Sequence, residues 1–274
     1  MVFDIALQLY TLREELEKDF EGTLKQISKI GLKYVELAGY YGKNAEELKD
    51  ILRSNNLRCI SAHISFDDLA SNTQEQADML NALGAEYAVI PYISEDYHAG
   101  GSKYGKFLET IQKISDVFNK SGIKLLYHNH DFEFIKYKNK YKLDHLFESL
   151  PSEIMQFEPD TCWIRYAGVN PCEYLKKFEE SCPIVHLKDF VADSAKQSVQ
   201  GIDNGRCVDK QTDNFMFKPL GQGVMDIISI ISAANTLGTK FFVIEQDQAP
   251  NIPAIECVKQ SFEYLIKVLS EDVR

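Results

Sequence analysis

At 274 residues the chain has the length of one closed α/β barrel, about 250 residues, and is too short for two such domains. Hydrophobic residues make up 45% and charged residues 26%, enough to bury a large core and to exclude disorder. The formal net charge of -11 sets the protein against nucleic acid and anionic membrane, both of which require a basic surface.

In chain order, short apolar runs predict strands at Phe3–Tyr10, Tyr34–Leu37, Arg58–Ala62, Tyr87–Pro91, Lys124–His128, Ile154–Pro159, Ile184–Lys188 and Phe241–Glu245. Amphipathic helices are predicted between and after them at Gly22–Ile30, Ala45–Asn55, Asn72–Leu83, Tyr104–Lys120, Leu143–Leu150, Pro171–Phe178, Met225–Leu237 and Ile255–Leu269. Gly31, Gly84 and Gly238 each stand between a helix and the strand that follows, where a positive-φ residue ends the helix. Repeated βα units of this kind predict an α/β fold, a single-domain (β/α)8 TIM barrel spanning 1–274. An open dinucleotide-binding sheet is disfavoured, because Gln8-Leu9-Tyr10-Thr11-Leu12-Arg13 follows the first strand where a glycine-rich phosphate loop would be needed. The polar segment 191–218 has neither period and is long for a βα connection, so it is expected to be an active-site loop.

Six cysteines without a C-x-x-C pair suit reduced thiols and a cytoplasmic location. The N-terminus has no basic region before its apolar run and reads as a strand rather than a secretion signal. No run approaches the ~20 apolar residues of a membrane span. The sequence therefore predicts a small-molecule partner, with neither nucleic acid nor membrane; a homo-oligomer is compatible with it.

Chemistry gathers at the C-terminal strand ends. Strand five ends in Tyr127-His128-Asn129-His130-Asp131, strand six in Glu158-Pro159-Asp160, strand seven in His186-Leu187-Lys188-Asp189 and strand eight in Glu245-Gln246-Asp247. In a closed barrel these ends converge on one mouth, where His and carboxylate groups can surround a single cation. A mixed nitrogen and oxygen set suits Mn, Co, Zn or Fe better than Ca. Such an ion polarises adjacent hydroxyl and carbonyl oxygens and eases removal of a neighbouring C–H proton.

Other candidates surround that mouth. His63, at the end of strand three, could bind a substrate hydroxyl or make a loop bond. Glu36 could orient substrate or pair inside the barrel. Lys188 shares a strand face with His186 and could transfer a proton, hold a substrate oxygen or form a structural salt bridge. Trp163 could wall the apolar face of a sugar or pack on the rim. The turn Leu220-Gly221-Gln222-Gly223 could receive a phosphate, a weak signal from two glycines. With no conspicuous basic cluster, a non-phosphorylated substrate is favoured.

Together, Gln8-Leu9-Tyr10-Thr11-Leu12-Arg13, Val35-Glu36, Tyr127-His128-Asn129-His130-Asp131-Phe132-Glu133-Phe134, His186-Leu187-Lys188-Asp189, Leu220-Gly221-Gln222-Gly223 and Val243-Ile244-Glu245-Gln246-Asp247 resemble the xylose-isomerase-like barrels of the sugar phosphate isomerase/epimerase superfamily. The resemblance spans nearly the whole chain. It implies a divalent metal, manganese first with Co, Zn, Fe or Mg as alternatives, held by His128, Asp160, His186 and Glu245. In the ketose 3-epimerase branch, strands five and eight each supply a glutamate. Here His128 stands at the strand-five position, leaving Glu245 as base and His128, His130 or Lys188 as the second proton-transfer group; His130 is otherwise expected to contact substrate.

The first expectation is therefore a metal-dependent sugar isomerase or epimerase acting through an enediolate. The Tyr-His-x-His pattern also resembles inosose dehydratases, which makes a keto-sugar dehydratase or lyase the alternative. A non-catalytic sugar-binding barrel is the alternative of another class. Endonuclease IV-like DNA repair enzymes, relatives within the superfamily, need more ligands and a basic face than this chain offers.

Overall fold

The computed structural model describes residues 3–192, 214–235, 237–249 and 251–271. Eight strands form its main sheet: β1 Asp4–Gln8, β2 Tyr34–Ala38, β3 Arg58–His63, β4 Tyr87–Ile90, β5 Lys124–His128, β6 Gln156–Glu158, β7 Ile184–Leu187 and β8 Phe241–Ile244. All pair in parallel, in the order β6-β5-β4-β3-β2-β1-β8-β7. The two edges meet through a parallel bridge between Asp160 and His186, where His186 N–H donates to Pro159 O at 2.9 Å. This is a nearly closed TIM barrel in one domain, as the βα rhythm predicts.

Buried on both faces, the strands supply two apolar layers. One set, including Ala6, Ile60, Val89, Leu126, Ile184 and Val243, packs together inside the barrel. The other lies between strands and helices, where Leu24 and Ile27 of Phe20–Ile30 and Leu48 and Leu52 of Ala45–Ser54 are buried. Asn44 and Glu47 form a reciprocal capping box at the start of Ala45–Ser54. Two of the three expected glycines end their helices in the left-handed region, Gly31 at φ 111° and Gly84 at φ 73°, whereas Ile227–Ala234 is capped by Asn235 and Gly238, at φ 74°, lies beyond it.

Two features depart from the sequence reading. The first strand stops at Gln8, not Tyr10: the Gln8 side-chain oxygen accepts the Tyr10 N–H at 3.0 Å and turns Leu9–Leu12 into a 3-10 helix. Three further helices, Arg13–Lys18, Phe66–Ser71 and Thr161–Tyr166, have six residues each, too few for an apolar period to be legible.

Of the expected loop 191–218, residues 193–213 lie outside the described residues. Its flanks Asp189–Val191 and Met216–Lys218 pair antiparallel above β7. Cys59, Cys162, Cys172, Cys182 and Cys257 are free thiols, and Cys207 is outside the described residues. Among the described residues, no helix is long and apolar enough to cross a membrane.

Candidate metal centre

Strand alternation builds the site. Phe241 and Val243 of β8 face the apolar barrel interior, so the next positions on that side are Glu245 and Asp247. Leu126 of β5 is likewise followed on its side by His128 and His130, and Ile184 of β7 by His186 and Lys188. On β6 the same two-residue step joins Glu158 to Asp160. Several strands thus change from apolar to ionisable side chains near one height, at the end where barrels of this kind carry their sites.

In the deeper tier Glu36, Glu158 and His186 are wholly buried, and His63 keeps an edge on the cavity. Glu36 Oε1 accepts from Gln8 Nε2 at 2.8 Å and faces His186 Nε2 at 2.7 Å and His63 Nε2 at 3.1 Å. Ser61 Oγ donates to its other oxygen. Glu158 Oε1 is approached by His63 Nε2 at 2.8 Å, His186 Nε2 at 3.0 Å and His128 Nδ1 at 3.1 Å. Burial would raise Glu36, but His63 and His186 outweigh it and hold the carboxylate well below its ordinary pKa. For the same reason His186 is held well above its ordinary range, by Glu158 and Glu36 against burial. His128 moves the other way: burial, then His186 and His63, keep it neutral.

The outer tier centres on Lys188, whose Nζ lies 3.1 Å from Asp160 Oδ2, 2.9 Å from Glu245 Oε2 and 2.8 Å from Asp247 Oδ1. Burial alone would discharge this lysine, yet the three carboxylates hold it firmly as ammonium. Burial also raises Glu245, but Lys188 and His186 outweigh it and keep the carboxylate ionised. Asp160 divides its oxygens. Oδ1 accepts the Trp163 N–H at 3.0 Å and caps Thr161–Tyr166, which aims Oδ2 at Lys188 and, 3.6 Å away, at His128 Nε2.

One donor atom from each of His128, Asp160, His186 and Glu245 lies within 4.8 Å of the others. Two imidazoles and two carboxylates so close are a donor set for a divalent cation. Asp160 Oδ2, buried yet accepting no well-directed hydrogen bond, fits such a role. A second set, His63, His128, Glu158 and His186, meets the same distance and shares both rings with the first; Glu158 faces His128 Nδ1 and His186 Nε2.

A cavity of about 280 Å³ opens over the outer tier. His63, His128, His130, Lys188 and Glu245 line it, as do Asp247, Tyr10 and Tyr92, which the sequence reading did not nominate. His130 stacks on Phe132 at an interplanar angle of 8°, and its Nδ1 accepts no hydrogen bond. Burial and Lys188 push this imidazole down to about 3.

Two nominated substrate contacts lie elsewhere. Glu36 sits beneath the cavity with no exposed surface, because four donors draw its carboxylate into the barrel. Trp163 stands behind the wall, stacked on Phe215 with the Lys188 ammonium 5.6 Å over its ring. Glu158 was missed, although it sits two residues before Asp160 on the same strand face, a signal the sequence does carry.

The Leu220–Gly223 turn has a different occupant from the phosphate considered above. Four backbone N–H groups, of Phe190, Gly221, Gly223 and Met225, donate to the Asp189 carboxylate at 2.9–3.0 Å. A Cβ on Gly223 would collide with Asp189 Oδ1 and Phe190 O, so the glycine is required by the protein's own anion.

Residues 24–268 match the family model of the xylose isomerase-like TIM barrel. The chain belongs to this family. Among curated relatives, an inosose dehydratase from Clostridium botulinum is 23% identical over 278 residues, covering 92% of this chain and 88% of the relative. Among solved structures, a sugar phosphate isomerase/epimerase from Parabacteroides distasonis superposes with a TM-score of 0.77 at 22% identity, covering 97% of this chain and 98% of that one. A xylose isomerase-like TIM barrel protein from Mycobacterium smegmatis, solved in complex with magnesium, gives a TM-score of 0.71 at 15% identity, covering 100% of this chain and 98% of that one. The family fold and the buried His and carboxylate cluster together make this a sugar-related enzyme barrel with a candidate divalent-metal site.

Proposed function

We propose that the protein is a metal-dependent dehydratase of a small, non-phosphorylated keto-polyol. The observation that carries this reading is His128. Where a two-glutamate epimerase needs its second carboxylate, this chain has an imidazole whose Nδ1 meets Glu158 and whose Nε2 faces Asp160. Proton return from a carboxylate on the opposite face thus has no donor there, which favours elimination over the epimerisation ranked first from sequence. The inosose dehydratases that align over most of the chain support the same choice.

His128, Asp160, His186 and Glu245 would hold the ion. When bound, it supplies polarisation of the substrate carbonyl and an adjacent hydroxyl. Glu245, the base expected from sequence, has its Oε2 engaged by His186 and Lys188 and serves better as ligand. His130, whose neutral imidazole lines the cavity, takes the proton from the carbon beside the carbonyl. That electron pair forms the C=C bond, and the hydroxyl on the next carbon leaves as water with a proton from Lys188 Nζ. The substrate class follows from charge: the cationic side chains lining the cavity, Lys188 and His63, are already engaged by carboxylates, and the glycine turn is filled by Asp189.

A panel of keto-inositols and keto-sugars with Mn2+ or Mg2+ in deuterated water tests this. Growth of unsaturated-ketone absorbance with release of water is the expected result. Deuterium incorporation into substrate or an isomer without water loss would overturn dehydration in favour of isomerisation, and no turnover would favour a binding barrel.

A further inference from the structure

Resting on that reading of the outer tier as the metal site, we infer that Glu36, His63 and Glu158 are positioning residues that fix the tautomer and ring orientation of His128 and His186. A neutral imidazole has one N–H and one lone pair. For His128 to offer Nε2 beside Asp160, its proton must sit on Nδ1, where Glu158 Oε1 waits at 3.1 Å. For His186 to offer Nδ1 beside Glu245, its proton must sit on Nε2, where Glu36 Oε1 lies at 2.7 Å and Glu158 Oε1 at 3.0 Å. The two carboxylates thus select the outward lone pair of both rings at once, as outer carboxylates do for metal-bound histidine generally.

His63 completes the tier. Its Nε2 bridges Glu158 and Glu36, and its ring stacks on His186 at 16° and meets His128 edge-on at 61°. The second His and carboxylate set found here, His63, His128, Glu158 and His186, shares both rings with the first, and Glu158 Oε1 meets them at their inward nitrogens, His128 Nδ1 and His186 Nε2. Ions in both sets together would strip both nitrogens of each ring to imidazolate. Neutral rings permit one set or the other. Gln8 and Ser61, which donate to Glu36, brace it as an acceptor of the inward N–H. The inner tier is therefore support for one ion and not a second metal site.

Mn2+ titration followed by electron paramagnetic resonance tests this on wild type, Glu36→Gln, Glu158→Gln and Asp160→Asn, with circular dichroism as the check on folding. One ion per wild-type chain is expected, with affinity falling about 10–100-fold in Glu36→Gln and Glu158→Gln at unchanged stoichiometry. As a readout independent of the variants, 15N NMR of the Zn2+-loaded wild type should find the proton of His128 on Nδ1 and that of His186 on Nε2. The opposite tautomers, a second ion that requires His63, or folded glutamine variants with wild-type affinity would each overturn the inference. A wild type that binds no ion, or an Asp160→Asn that binds as wild type does, overturns the proposed metal site itself and this inference with it.

Discussion

Asp160 and Asp189 are both buried aspartates just beyond a barrel strand, one after β6 and the other after β7, yet the fold uses them in opposite ways. Asp189 receives four backbone N–H groups and has no oxygen left for the cavity. Asp160 receives one backbone N–H on Oδ1 and turns Oδ2 toward Lys188 and His128. What separates a structural carboxylate from a functional one here is how much of it the backbone satisfies. Burial and position in the chain are alike for the two.

The contrast breaks most sharply at Asp160. Asparagine there keeps the helix cap, since its amide oxygen caps as well as a carboxylate, but removes the charge. Metal affinity should fall more than the roughly 100-fold upper range for a residue outside the ligand shell, with little change in melting temperature. Calorimetric titration and a thermal melt on the same sample check both halves.

Asp189→Asn should do the reverse. An amide turned toward four N–H donors loses charge-assisted bonds, so stability falls by about 2–4 kcal/mol while metal affinity stays within a few-fold of wild type. Denaturant unfolding measures the first and titration the second. A smaller blow to the same cradle is Gly223→Ala, whose methyl meets Asp189 and Phe190; about 1–3 kcal/mol should be lost. Gly105→Ala is the control, with open space around its Cβ, and should be neutral or slightly stabilising.

Glu133 extends the comparison to a carboxyl with fewer donors. It accepts from Tyr127 OH at 2.8 Å and His130 N–H at 2.9 Å, and burial pushes it up to about 8. A folded-state pKa above the unfolded value means the folded form holds its proton longer, so this residue's contribution to stability falls as pH rises from about 4.5 toward 8. Glu133→Gln should flatten that fall by about 1 kcal/mol or more, read from denaturant unfolding at pH 5 and pH 8.5.

Much of this architecture is legible in sequence because its signals are local. The eight strands sit where short apolar runs predict, and Gly31 and Gly84 end helices as their spacing implies. His128, Asp160, His186 and Glu245 could be nominated because each stands at or just past the end of a strand. Long-range pairing is what the sequence hides. Glu158 is visible by two-residue alternation from Asp160, but its three imidazole neighbours come from β3, β5 and β7. Trp163 fits a sugar platform in sequence until Thr161–Tyr166 folds it behind the wall against Phe215. The glycine turn reads as a phosphate cradle because Asp189, its occupant, is about thirty residues away in the chain.

The central claim is that the outer tier binds one divalent ion through Asp160. Mn2+ binding to wild type and Asp160→Asn, followed side by side by electron paramagnetic resonance, tests it most directly. The account predicts one bound ion per wild-type chain and none in the variant at the same concentration, with both proteins equally folded. Equal binding by the two would contradict it.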